Sequence, residues 1–468
     1  MMNQRVIPAF LLVCTMVIGL LAGTGCATII PPTGGLRDSL PPILSNSFPR
    51  DSALNFSGKK LTLVFDEYIE VQNIQQQLII SPIQQINPIV LSKLKTLTVN
   101  LKDSLEENTT YSFNFGDAIK DVNEGNIKKG FTFTFSTGPY LDSLTLTGKV
   151  IIAETGNTDS TLLAILHRRD DDSAIIYSKP RYATRLNNKG QFVFKNLPAG
   201  TFYLYALKDE SGMGKLLGKD QLFAFADSPV IVSKDTTEQV LFAYLENISP
   251  KSKLKVDESD KFINPLNNLQ ANQLDLEKDF EMEFLMPLKS YDSSKIKFST
   301  DSSFIPVNNF KWTLDSSSSK LTLHTIWKEN KEYHLILEKE FAIDTMNRKH
   351  LTTDTITFFT RKQTDYGSVK IQFKNLILTD NPVLLFLIGN AIVHSFPLKS
   401  AIFNYHLFKP GDYQIRILND KNKNGIWDSG IFFEKHLQPE KIIPIKQKII
   451  IKPNWVNEFE VTVPDKIK

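Results

Sequence analysis

Short runs in which apolar and polar residues alternate strictly recur along the chain, and they leave little choice of fold. Examples are Leu61-Thr62-Leu63-Val64-Phe65, Phe131-Thr132-Phe133-Thr134-Phe135 and Tyr203-Leu204-Tyr205-Ala206. A period of two puts successive side chains on opposite faces of a strand, and the Asn, Asp, Gly and Pro clusters between the runs supply turns. No long stretch carries the period of an amphipathic helix. The expected fold class is all-β, with tandem β-sandwich domains in series.

The runs repeat in a fixed order. A shift of 211 residues lays Gly190–Asp209 on the segment ending at Asp420 without a gap. Phe192 then meets Phe403, Phe194 meets Tyr405, Gly200 meets Gly411, Phe202 meets Tyr413, and Asp209 meets Asp420. A second pair interleaves with the first: Asn-Thr-Thr-Tyr at Asn108 matches Asn-Lys-Glu-Tyr at Asn330, and Leu61–Glu67 matches the run from Phe280. Two kinds of unit therefore alternate as X-Y-X-Y. The expected domains are 41–138, 139–245, 253–362 and 363–468, with a linker over 246–252.

The N-terminus reads as an export signal. Arg5 is the only charge in residues 1–25, Val6–Ala22 is apolar around Pro8, and Gly23-Thr24-Gly25-Cys26 follows. A basic start, an apolar stretch and small residues before a cut are the marks of a secretory signal. The cysteine placement resembles the bacterial lipobox, with Gly23 where that motif has Leu. The resemblance implies lipidation of Cys26, a removed segment 1–25 and a Pro/Gly-rich tether over 26–40. Cys14 falls in the removed segment, so Cys26 is alone and no intramolecular disulfide forms. Ala27 at the next position implies the outer membrane, and the lack of an acidic run after Cys26 favours its periplasmic face. Lys plus Arg number 54 against 51 Asp plus Glu, with no basic stripe, which argues against a nucleic-acid partner.

The first unit carries Pro41-Pro42, Pro49, Leu-Thr-Leu-Val-Phe-Asp-Glu, Ile79-Ile80-Ser81-Pro82, Asp121–Asn126 and Phe-Thr-Phe-Ser-Thr-Gly. This set resembles the bacterial Ig-like domain of S-layer type, and residues 253–362 resemble it more distantly. Phe-x-Phe-x-x-Leu-Pro-Ala-Gly-Thr-Phe-Tyr-Leu, from Phe192, resembles the prealbumin-like sandwich of carboxypeptidase-regulatory-like repeats. With the lipobox, the chain is similar to Ig-like lipoproteins of Gram-negative envelopes. That resemblance implies architecture and location, and no catalytic activity.

Motifs of known chemistry are missing. None of the seven histidines forms a close metal-binding pair, and no nucleophile elbow, P-loop or dinucleotide glycine pattern occurs. His334, between Tyr333 and Leu335, reads as a solvent-facing strand histidine. Arg168–Ser173 reads as a hairpin tip between strands Leu162–Leu166 and Ala174–Tyr177. One stretch stands out, Asp420–Gly430. Asp420, Asn422 and Asn424 take positions one, three and five of a calcium loop, Gly425 takes six, Ile426 offers its carbonyl at seven, and Asp428 takes nine. Position twelve is Ile431, where an EF-hand has Glu, and no helices flank the loop. The expectation is a structural calcium between strands, or a plain Asp/Asn/Gly turn like its degenerate twin at Asp209–Gly214.

The function expected is that of a non-enzymatic envelope lipoprotein. It would sit on the membrane through Cys26 and bind an envelope or outer-membrane protein, as an accessory to outer-membrane assembly or secretion. The alternative is glycan binding, motivated by Trp427 with Phe432-Phe433.

Overall fold

The computed structural model describes residues 38–169, 171–246, 262–300 and 305–464. The signal segment, Cys26, most of the tether and most of the linker lie outside these residues. The alternation is realised as strands whose inward residues build separate apolar cores. Leu61, Leu63, Phe65, Phe113, Phe133 and Phe135 are buried in the first, Leu146, Leu204 and Phe202 in the second, Phe280, Leu335 and Phe358 in the third, and Ile371, Phe386 and Ile415 in the fourth. The fold is all-β, and its sandwiches follow one another in tandem.

Strand pairing bears out the internal repeat in three dimensions. In the first domain one sheet runs Leu44–Phe48, Lys60–Phe65, Thr96–Asn100, Ile89–Lys93, and the facing sheet runs Ile79–Ser81, Thr110–Asn114, Thr132–Ser136. The third domain repeats both orders. Phe280–Glu283 lies beside Lys320–Thr325, and Glu332–Leu337 lies between Asp354–Thr360 and Ile296–Thr300. The second and fourth domains share a rarer feature. Leu144–Ile152 pairs in parallel with Gln239–Ala243, and Gly367–Lys374 pairs in parallel with Val456–Thr462. Gly200 and Gly411, which the repeat superposes, sit at φ 147 and 157, at the start of equivalent strands. A side chain there would be strained, which explains why both copies have glycine.

Two local expectations fail. His334 is buried, 6% exposed, because it sits mid-sheet between Ser299 and Thr357, and its Nδ1 lies 3.0 Å from the Thr357 hydroxyl. Ala174–Tyr177 is one helical turn and not a strand. Asp171 closes that turn: its carboxylate accepts from the Ser173 N–H and hydroxyl, and its carbonyl accepts from the Ala174 N–H. The hydrogen bonds of this Asx turn outweigh the apolar pattern of four residues.

Neighbouring domains are joined by polar contacts. Arg181 forks onto both carboxylate oxygens of Glu106, and the Ile83 N–H donates to the Arg181 carbonyl, which fastens the second domain to the first. Lys409 pairs with Asp275 at 2.9 Å and the Tyr405 hydroxyl donates to Glu277, which fastens the fourth to the third. The second and fourth domains, separated in sequence by the whole third domain, meet through an apolar junction. Phe432 is 3% exposed, with its ring centroid 5.1 Å from those of both Phe223 and Phe225 and 5.7 Å from that of Tyr205. The chain thus folds back, and the contacts give the spatial order first, second, fourth, third.

One buried group makes stability depend on pH. His167 is enclosed against Tyr205, its Nε2 has no hydrogen-bond partner, and burial lowers its pKa from 6.5 to about 4. The unfolded chain takes up a proton near pH 6.5 and the folded chain only near pH 4, so this contribution is complete above pH 6.5 and is lost as pH falls towards 4. The loss is on the order of 3 kcal/mol across that window. Urea titrations of the wild type and His167→Phe between those limits should show the slope in the wild type and a flatter profile in the variant. Equal slopes would refute the assignment.

Candidate functional site: the Asp420 loop and the domain junction

The loop begins where the interior strand Gly411–Asn419 ends and leads to its neighbour, the edge strand Lys441–Ile451. Asp420 is 2% exposed, and its carboxylate closes the turn: Oδ1 accepts from the Lys423 and Asn424 N–H groups, and Oδ2 accepts from Gly425 at 2.7 Å. Gly425 adopts φ 78 to permit this, as its twin Gly214 adopts φ 64. Asn422 Oδ1 accepts from the Asn424 N–H, and Asn424 Oδ1 from Ile426. The two amide NH2 groups both donate to Asp428 Oδ2 at 2.7 Å. Ile426 itself is exposed.

Carboxylates cap backbone N–H groups in the same way in every domain. Asp121 accepts from residues 124, 125 and 126, Asp209 from 213 and 214, and Asp344 from 346 and 348. The shared role of the Asp is to satisfy turn N–H groups that no strand partner reaches. The Asp420 loop differs from the others in what surrounds it. Glu440 is buried beside it; its carboxylate accepts from the N–H groups of Lys421 and Asp428, and its carbonyl from Trp427 Nε1. Burial raises the Glu440 pKa, and Asp420 and Asp428 raise it further against those two donors. Glu440 carries no motif signal, because it follows Asp428 across a small excursion of chain.

That excursion accounts for position twelve. Ile431 bonds to Leu437 in both directions, and the loop between them carries Phe432 into the second domain. Gln438 Nε2 donates to the Phe225 carbonyl, the Ile442 N–H to the Ala153 carbonyl, and His436 pairs with Asp172 at 2.8 Å. Lys441 stands 3.9 Å over the Phe242 ring. Trp427, Phe432 and Phe433, the aromatic residues behind the glycan reading, all pack into this junction.

As a calcium site, the loop brings together Asp420, Asn422, Asn424 and Asp428 and adds Glu440. Yet the Asp420 oxygens face backbone donors, and both Asn side chains turn nitrogen towards Asp428. Among the described residues no group of three or more His, Cys, Asp or Glu is arranged to hold a metal ion. No helix among them is long and apolar enough to cross a membrane.

No curated protein matches the chain. Among solved structures, the chain is similar to the Bacillus anthracis TIE protein at 10% identity, covering 93% of this chain and 76% of that one, with TM-score 0.17. It is also similar to BcpA, the major pilin subunit of Bacillus cereus, at 9% identity, covering 69% of this chain and 100% of that one, with TM-score 0.16. The S-layer protein rSbsC matches at 12% identity over 90% of this chain and 54% of its own, with TM-score 0.16. Overlays this loose say nothing about shared function. Residues 38–137, the first domain, match the family described as bacterial Ig-like domain.

Proposed function

We propose that the protein is a non-enzymatic envelope lipoprotein, held at the outer membrane through Cys26, that serves as a scaffold for an envelope or outer-membrane protein, as an accessory to an assembly or secretion machine. The observation that carries the scaffold reading is the junction at Phe432. A chain of sandwiches that closes on itself holds its sheet edges and loops in fixed relation, which a string of independent domains would not. The Ig-like family of the first domain supports the same reading. Cys26→Ser should move the protein from the membrane to the soluble fraction of cells. Pull-down of the acylated protein should bring a stoichiometric protein partner. Retention of the variant on membranes would defeat the anchor, and capture on polysaccharide without a protein partner would favour glycan binding.

A structural calcium in the Asp420 loop is a separate reading, carried by the crowding of Asp420, Asp428 and Glu440 around one turn. A divalent cation relieves such repulsion, and the loop's side-chain oxygens are of the kind calcium takes. Binding requires Asn422 and Asn424 to turn their oxygens towards Asp428. Millimolar calcium should then raise the melting temperature of the wild type, and Asp420→Ala should abolish the rise. Superposable wild-type melts in calcium and in chelator would remove calcium and leave the turn.

A further inference from the structure

One end of the first domain gathers exposed apolar side chains where the N-terminal segment arrives. The Ile43 N–H donates to Asp66 Oδ1, Lys95 Nζ donates to the Asp66 carbonyl, and the Ile69 N–H donates to the Leu94 carbonyl. These bonds place Ile43, Tyr68 and the Leu94 hairpin side by side. Leu40 is 64% exposed, Ile43 53%, Tyr68 49% and Leu94 65%. Behind them an open groove of about 710 Å³ runs along the outer sheet face, lined by Leu91, Thr98, Lys60 and Lys93 among others. Solvated loop positions at one end of a domain rarely carry this many large apolar groups together without a covering surface.

The length of the preceding chain says what that surface is. Cys26 precedes Asp38 by 12 residues, which at ~3.3 Å each span at most about 40 Å. An acylated Cys26 therefore keeps this end of the domain within that distance of the lipid. The tether also sets a high local concentration, so a weak contact suffices. The charges here are mixed: Lys93 and Lys95 are joined by Asp38, Asp66, Glu67 and Glu124. That mixture disfavours a charge-driven protein partner and leaves the apolar side chains to make the contact.

We propose that this end of the first domain lies on the membrane surface, with Leu40, Ile43, Tyr68 and Leu94 set into the headgroup region. The proposal rests on the anchoring of Cys26. Tyr68 suits the role, because its ring is apolar and its hydroxyl stays wet, and Lys95 keeps its charge in water 5.6 Å above that ring.

The test uses the acylated full chain in vesicles of phosphatidylethanolamine and phosphatidylglycerol. With Cys26 acylated and Cys14 removed, Leu94→Cys and Leu40→Cys each supply a single thiol for an environment-sensitive fluorophore. Ile231→Cys, on the second domain, is the control. Labels at residues 94 and 40 should shift to the blue and lose several-fold in quenching by iodide on reconstitution, while the label at 231 stays unchanged. Protein that sediments with the vesicles but keeps water-exposed labels at both positions overturns the docking and leaves the anchor standing. Protein that stays in the supernatant overturns both. Labels shielded only when envelope proteins are added overturn the lipid assignment in favour of a protein partner.

Discussion

The ring of Phe432, seated among Phe223, Phe225 and Tyr205, holds the arrangement of the molecule together. The other domain contacts join sequence neighbours, which the short connections already keep close. This one joins domains with the entire third domain between them, so the junction it belongs to decides whether the described domains form a string or fold back. Replacing a ring buried this completely by Ala costs about 3–5 kcal/mol. The surrounding polar contacts, Gln438 to the Phe225 carbonyl and Ile442 to the Ala153 carbonyl, fix orientation more than they add affinity.

The Asp420 loop gains its meaning from that junction. A turn whose Asp in the three other domains also satisfies backbone N–H groups is here followed by residues 429–439, which reach the neighbouring domain. The buried Glu440 is what ties the two ends of that extension, by accepting from Lys421 and Asp428. Losing this buried carboxylate would leave the Lys421 and Asp428 N–H donors unmet, which couples the loop to the docking segment. The stretch that reads in sequence as a candidate calcium loop also forms, in three dimensions, the base of the segment that docks on the second domain.

Much of the fold was legible because a period of two records which face of each strand is buried. Phe192 and Phe403, or Gly200 and Gly411, occupy equivalent places in equivalent strands, so the repeat is present in the sequence itself. The position of His334 was not legible: alternation identifies the outer face of a strand but not what covers it. Ala174–Tyr177 reads as a strand because four apolar residues carry no decisive period, and the turn chemistry of Asp171 governs them. Glu440 and the junction were hidden for a different reason. Contacts between domains depend on the directions of connecting segments, and no local pattern encodes those. The aromatic trio Trp427, Phe432 and Phe433 was visible, but whether such residues face solvent or a neighbouring domain is settled only by the packing.

The most direct measurement is small-angle X-ray scattering of the full chain beside Phe432→Ala. A wild-type curve that fits the order first, second, fourth, third, with a larger radius of gyration in the variant, is the predicted result. A wild-type curve of an extended string, unchanged by the substitution, would contradict the closed arrangement.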